Sequence, residues 1–131
     1  MPATITSLRV RYAETDRMGV VYYANYFVWF EVARTDLLRT LGSTYRDMEN
    51  SGVILPVISA ECEYRRPARY DDEVEVHVAG RLCSPVRLEF TYEIQVKGTD
   101  ELAATGRTIH AALDAAGKPR RLPDNIRKAF A

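Results

Sequence analysis

One acidic residue, Asp16, has neighbours in the sequence that could give its carboxylate a chemical role. Asp16 begins a turn-like tetrapeptide, Asp-Arg-Met-Gly, and an apolar, aromatic run that leads into a predicted helix follows directly. A helix N-terminus presents unpaired N–H groups and a partial positive charge. A carboxylate beside it can act on a substrate whose carbonyl oxygen those N–H groups polarise, which favours acyl transfer or hydrolysis. Spacing alone favours a simpler role, in which Asp16 only caps the turn or the helix.

The helix that would position Asp16 is predicted over residues 25–41. Apolar residues recur there at steps of three or four and form one stripe: Tyr26, Phe30, Ala33, Leu37 and Leu41. Most charged residues of the segment fall off that stripe: Glu31, Arg34, Asp36 and Arg39. Asn25 is the candidate N-cap, Gly42 the candidate residue after the C-cap, and Trp29 is expected to be partly buried beside the stripe.

Alternating apolar and polar residues predict the strands of a sheet. A first strand is expected over about residues 4–12, and four more follow the helix: 58–64, 73–82, 86–97 and 102–113. Short helices are predicted at 44–51 and from about Asp124. Short links between the last three strands favour antiparallel hairpins. The sequence therefore predicts one α+β domain over residues 1–131, with the helix on one face of a sheet that curves around it.

Composition limits the possible partners. The chain has 131 residues, of which 47% are hydrophobic, and its 18 basic and 18 acidic residues cancel. A zero net charge argues against a nucleic-acid binder, which needs a basic surplus. Residues 1–12 contain no apolar signal-peptide core, and no apolar run approaches the ~20 residues of a membrane span. A cytoplasmic protein is therefore expected.

The cysteines and histidines give no sign of a metal site. Cys62 and Cys83 have neither a disulfide nor a zinc spacing, and both are interpreted as reduced, small apolar packers in strands. His77 and His110 lie in strands with no nearby ligand pattern. No Gly-x-Ser-x-Gly motif supports a serine hydrolase.

Residues 16–26, Asp-Arg-Met-Gly-Val-Val-Tyr-Tyr-Ala-Asn-Tyr, resemble the signature of hotdog-fold acyl-CoA thioesterases. The nearest branch is the 4-hydroxybenzoyl-CoA thioesterase and YbgC-like family. The flanking residues 12–15 and 30–34 resemble it too, as does the order strand, helix, four strands, so the resemblance covers nearly the whole chain. Because the motif is long and chemically mixed, it favours a catalytic Asp16 over a mere cap.

The resemblance implies a hotdog fold, in which a curved antiparallel five-stranded sheet wraps a long helix. It also implies a homodimer, often paired into a homotetramer, with active sites at subunit interfaces. Asp16 matches the catalytic carboxylate, acting as nucleophile or general base, and Tyr23 matches the residue whose backbone N–H binds the thioester carbonyl. Many YbgC-like members carry histidine where this chain has Tyr23. The implied reaction yields a free acid and coenzyme A, which is part of the substrate, without a metal or redox cofactor.

Further substrate contacts are suggested by charge and by the resemblance. Arg65, Arg66 and Arg69 surround Pro67 and could bind coenzyme A phosphates, or they could form a solvated strand end. Ser84 and Arg87 lie at a hairpin where hotdog enzymes contact pantetheine, although turn chemistry explains the serine as well.

Several alternatives remain open at this stage. Glu14 is either a second carboxylate of the site or a solvated loop charge. The aromatic run that includes Tyr22, Phe27 and Trp29 is mostly core, and part of it could line an acyl pocket. A non-hydrolytic acyl-thioester binder, acting with an acyl carrier protein, is the main alternative function. A hydratase would need a histidine near the helix start, where the chain has none.

Overall fold

Five antiparallel strands form one sheet in the computed structural model, which describes all residues from Met1 to Ala131. The strands are β1 (Ala3–Arg9), β2 (Val57–Tyr64), β3 (Glu73–Ser84), β4 (Arg87–Val96) and β5 (Leu102–Ala111). Their order across the sheet is β1-β3-β4-β5-β2, which leaves β1 and β2 at the edges. The helices are α1 (Asn25–Thr40), α2 (Tyr45–Asn50) and α3 (Asp124–Phe130), and a 3-10 turn spans Tyr12–Glu14.

Helix α1 lies against one face of the sheet, and aromatic packing fixes it there. The ring of Phe30 stacks on that of Tyr92 in β4, with centroids 4.1 Å apart and planes inclined by 14°. In β5, a Cβ at Gly106 would come within 2.4 Å of the Phe30 ring. Only a glycine lets α1 approach this closely, and no periodicity in the sequence marks that requirement.

The predicted order of elements is confirmed, as are the antiparallel hairpins. The first strand ends at Arg9 rather than near residue 12, because the chain turns into the 3-10 segment. Gly42 follows the C-cap of α1 with φ +78°, as predicted. The prediction for Asn25 is wrong: Ala24 is the N-cap, and the Asn25 side-chain amide donates instead to the Glu14 carbonyl at 2.8 Å.

Three burial predictions also need correction. Trp29 is only 2% exposed, because its indole reaches a buried acceptor rather than solvent. Arg34 is buried, although it is charged and lies off the apolar stripe of α1. Cys83 is exposed and packs no core, whereas Cys62 is half-buried.

Strand β2 is the least covered element of the sheet. It pairs only with β5, and nearly every residue along it is exposed. Val57, Ile58 and Tyr64 retain 45%, 48% and 44% of their accessible surface. An edge strand with this much apolar surface and a free row of backbone polar groups is a template for pairing with another chain.

No helix has the length and apolar composition needed to cross a bilayer.

Candidate active site

Asp16 begins a tight turn that holds half of its carboxylate. Its Oδ1 accepts the Met18 N–H at 2.9 Å, its carbonyl accepts the Gly19 N–H at 3.0 Å, and its own N–H donates to Val20 at 2.9 Å. Gly19 has φ +80°, a conformation that suits glycine. The turn-capping role is therefore real. It uses only one carboxylate oxygen, and Oδ2 accepts no hydrogen bond from the protein.

The start of α1 leaves two backbone donors free. The N–H groups of Tyr23 and Ala24 have no acceptor in the protein, whereas those of Asn25 and Tyr26 donate to the Tyr22 and Tyr23 carbonyls, respectively. No side chain caps the helix at Ala24. Unpaired N–H groups at a helix N-terminus attract an anionic or polarised oxygen.

Asp16 and Tyr23, which lies at the start of α1, line one cavity of about 320 Å³. Most of its wall is apolar or aromatic, and its lining comprises Asp16, Met18, Val20, Val21, Tyr23, Tyr26, Tyr64, Arg65, Arg66 and Pro67. An apolar cleft with a few convergent polar groups is the usual form of a small-molecule site. Asp16 and Tyr23, the two predicted catalytic residues, are thus brought together.

Glu14 fixes the Asp16 loop to α1, a role that sequence reasoning missed. Its side chain is buried, with Oε1 accepting the Arg11 N–H at 2.8 Å and Oε2 accepting the Trp29 indole N–H at 2.9 Å. Its carbonyl accepts the Tyr22 N–H as well. Glu14 is therefore neither a solvated loop charge nor a member of the cavity wall. The buried indole, which needs an acceptor, is the one signal that could have identified it.

Two of the three predicted phosphate-binding arginines belong to this cavity. Arg65 and Arg66 line it, and the Arg66 guanidinium lies 2.7 Å from Glu101 in a solvent-exposed ion pair. Arg69 lies on the other side of Pro67, where its Nη1 donates to the Gly19 carbonyl at 3.4 Å.

Ser84 and Arg87 are not brought to Asp16 within one chain. They form the β3–β4 hairpin, where the Ser84 hydroxyl accepts the Val86 N–H at 3.3 Å. The opposite end of β3 pairs with Arg9, near the Asp16 loop. Twelve residues of strand at about 3.3 Å each separate the two ends. Only a second subunit could bring this hairpin to the cavity.

A buried polar chain lies deeper, between α1 and the sheet. Arg34 donates through Nε to the Tyr45 hydroxyl at 3.0 Å and has no carboxylate within ion-pair distance. The Tyr92 and Thr108 hydroxyls lie 2.6 Å apart, and Thr108 lies 2.9 Å from His110 Nε2. Burial lowers the pKa of His110 to about 4. Burial also raises the pKa of Tyr45 to about 12, so both groups are neutral near pH 7.

No group of three or more histidine, cysteine, aspartate or glutamate side chains is arranged to hold a metal ion. His110 belongs to the polar chain just described. His77 points from β3 to the face of the sheet opposite α1, beside Glu93 and Thr91.

The known proteins that are similar to this chain point to one family. Residues 10–130 match the model of the thioesterase-like superfamily. YneP of Bacillus subtilis is 39% identical, over 94% of this chain and 86% of that protein. The acyl-CoA thioester hydrolase YbgC of Escherichia coli O6:H1 is 33% identical, over 94% and 92%. The crystal structure of a DHNA-CoA thioesterase from Staphylococcus aureus is 41% identical and has a TM-score of 0.87, over 93% and 82%. The chain therefore has the hotdog fold and belongs to the thioesterase-like superfamily.

Proposed function

We propose that this protein hydrolyses an acyl-CoA or aroyl-CoA thioester to a free acid and coenzyme A at the Asp16 cavity. One observation carries the proposal: Asp16, whose Oδ2 has no protein partner, lines the same cavity as Tyr23, whose N–H is unpaired at the start of α1. A thioester carbonyl needs such donors, and its carbon needs a nucleophile or an activated water. The family of the chain supports the same reaction.

Two routes use the same residues. In the first, Asp16 Oδ2 attacks the carbonyl carbon, the C–S bond breaks, and coenzyme A leaves as a thiolate that takes a proton from solvent. Water then hydrolyses the resulting mixed anhydride and restores the carboxylate. In the second, Asp16 accepts a proton from a water that attacks the carbonyl carbon, the C–S bond then breaks, and the proton passes from Asp16 to the departing thiolate. In both routes the Tyr23 N–H stabilises the oxyanion, and neither requires a metal or redox cofactor.

Rapid-quench mass spectrometry separates the two routes, because only nucleophilic attack joins the acyl group to the Asp16 carboxylate. Turnover in heavy-oxygen water adds a second readout, since label in the Asp16 carboxylate requires a mixed anhydride that water attacks at the aspartyl carbon. Label in the released acid alone is common to general-base catalysis and to hydrolysis of the anhydride at the acyl carbon.

The lining of the cavity indicates which acyl groups it could accept. Tyr23, Tyr26 and Tyr64 give it aromatic walls that suit a flat or apolar acyl group. Relatives are named for acyl-CoA thioesters and for 1,4-dihydroxy-2-naphthoyl-CoA. We therefore expect thiol release from a panel of benzoyl-CoA, 1,4-dihydroxy-2-naphthoyl-CoA and straight-chain acyl-CoAs. Tight binding of every member without thiol release would instead favour the non-hydrolytic binder.

We expect a homodimer or a larger homo-oligomer, formed by pairing of β2 with its copy. The exposed apolar residues of β2 and its free backbone groups would be buried in such a pair. Light scattering should give at least twice the 14.9 kDa chain mass at micromolar concentration. Ile58→Asp should lower that mass, whereas Ile5→Asp, at the other sheet edge, should leave the β2 pair intact. A wild-type monomer would contradict this prediction.

We expect Arg66 to bind a coenzyme A phosphate rather than the thioester. Arg66→Gln should raise KM about fivefold with little change in kcat, since an exposed ion pair contributes up to ~1 kcal/mol. The effect should shrink with added salt and vanish for an N-acetylcysteamine thioester, which has no phosphates. Arg121→Gln, an exposed arginine outside the cavity, is the matched control. An equal loss on both thioesters would assign Arg66 to the fold or an interface.

A further inference from the structure

Tyr64 connects the end of β2 to the start of α1. Its hydroxyl donates to the Tyr23 carbonyl at 3.0 Å. Its ring meets those of Tyr23 and Tyr26 edge-on, with centroids 6.3 and 5.1 Å away. It also lines the cavity that holds Asp16. Partial burial raises the pKa of Tyr64, so the hydroxyl keeps the proton it donates.

The peptide that Tyr64 binds is the one that carries a free donor. The Tyr23 carbonyl and the Ala24 N–H belong to the same planar peptide group, so fixing one end fixes the direction of the other. Within the helix, the carbonyl receives only a long 3.3 Å bond from the Tyr26 N–H. The hydroxyl supplies the shorter bond. A hydrogen bond to a carbonyl also polarises the peptide and strengthens its N–H as a donor.

No other side chain forms a hydrogen bond with the Tyr23–Ala24 peptide. A capping side chain would occupy a free N–H, and α1 has none. The N–H of Tyr23, a residue that lines the cavity, and the adjoining Ala24 N–H thus stay unpaired, while the direction of the Ala24 N–H is set from the carbonyl side by a residue of another element.

We propose that Tyr64 is a positioning residue for the thioester carbonyl, holding the Tyr23–Ala24 peptide so that the Ala24 N–H acts as a second oxyanion donor beside the Tyr23 N–H. The inference rests on the proposed hydrolytic function. It assigns a role to a residue that never contacts the reacting atoms. Because Tyr64 ends the exposed edge strand, pairing of β2 with a second subunit would also steady this peptide.

Tyr64→Phe tests the proposal, since it removes the hydroxyl and keeps the ring. We expect kcat to fall about tenfold, the equivalent of one net hydrogen bond, with KM changed less than about twofold. The loss should be the same on benzoyl-CoA and on the benzoyl N-acetylcysteamine thioester, because both contain the carbonyl. Tyr70→Phe, an exposed tyrosine outside the cavity, should keep wild-type kinetics.

Thermal unfolding and light scattering verify that each variant is folded and assembled. Wild-type kcat in Tyr64→Phe would overturn the proposal, as would a change confined to KM. The hydrolytic function fails by a different result. If Asp16→Asn retains wild-type turnover, the site assignment is wrong. If Asp16→Asn is inactive and Tyr64→Phe is fully active, only the role of Tyr64 falls.

Discussion

Asp16→Asn is expected to fold normally and to lose about 10²–10⁴-fold in kcat, the usual contribution of a positioned base or nucleophile. Asparagine keeps an oxygen that can accept the Met18 N–H, so the turn survives. It lacks the anionic oxygen that would attack the carbonyl or take a proton from water. KM should change much less than kcat, because the anionic oxygen acts on the reacting carbon, whereas the proposed contacts to coenzyme A use other side chains.

The chain contains a matched control for this substitution. Asp114 makes the same backbone turn: its Oδ1 accepts the Ala116 N–H at 2.9 Å, its carbonyl accepts the Gly117 N–H at 3.0 Å, and its own N–H donates to Lys118 at 2.8 Å. Its Oδ1 also accepts the Lys118 N–H at 3.0 Å, a bond that has no counterpart at Asp16. Gly117 has φ +79°, as against +80° at Gly19. Asp114→Asn should therefore repeat any cost of altering the turn without affecting turnover. Near-wild-type turnover by purified Asp16→Asn would falsify the catalytic assignment.

The same comparison explains why sequence spacing alone could not assign Asp16. The two segments share the pattern Asp-x-x-Gly in the sequence, and both form the same backbone turn. What separates them is the start of α1, where Tyr23, with its unpaired N–H, lines a cavity with Asp16 and not with Asp114. The long motif that follows Asp16 resembles a family signature and so indicates which aspartate is the catalytic candidate, whereas the turn pattern alone does not.

Periodicity predicted the elements because their burial is local. The stripe of α1 and the alternation along β3 and β4 follow directly from which face of each element meets the core. Glu14, Trp29 and Asn25 were misread for the opposite reason. Each is satisfied by a partner from 11 to 15 residues away, across the Asp16 loop, and no periodic pattern encodes such a contact.

Arg34 is the strongest case of this kind. A charged residue off an apolar stripe is normally a solvated one. Here hydroxyl groups from α2 and β4 replace the solvent: Tyr45 binds its Nε, and both Tyr45 and Tyr92 raise its pKa against the opposing effect of burial. The two tyrosines lie 11 and 58 positions further along the sequence. A sequence pattern therefore does not show that they surround Arg34, because the folded sheet brings them together.

This polar chain makes His110 a determinant of acid stability. The Leu55 carbonyl can only accept, so His110 Nδ1 carries the proton at 3.2 Å and Nε2 accepts from the Thr108 hydroxyl. Protonating Nε2 would break that order and place a second cation near Arg34, with no carboxylate bonded to either group. The charged groups around it are Arg34 and, more distantly, Glu31 near Tyr45; the other neighbours, Tyr92 and Phe90, are uncharged.

The sign of the effect follows from the direction of the shift. Burial lowers the pKa of His110 from its ordinary 6.5 to about 4, so the unfolded chain binds the proton first. The stabilisation is fully present above pH 6.5 and is lost as the pH falls toward 4. We expect the free energy of unfolding to drop by roughly 2 kcal/mol between pH 7.5 and pH 5, and by roughly 3 kcal/mol by pH 4.

Urea unfolding of wild type, His110→Gln and His77→Gln at pH 7.5 and pH 5 measures this contribution. His110→Gln is expected to be less stable at pH 7.5, because it disturbs the bonds to Thr108 and Leu55, but to lose far less stability on acidification. His77 is the only other histidine of the chain and lies on the opposite face of the sheet, so His77→Gln measures how much of the pH dependence is independent of His110. Carboxylate titration is common to all three proteins and cancels in the comparison. An unchanged pH dependence in His110→Gln would mean that the buried imidazole accepts a proton as easily in the folded chain as in the unfolded one.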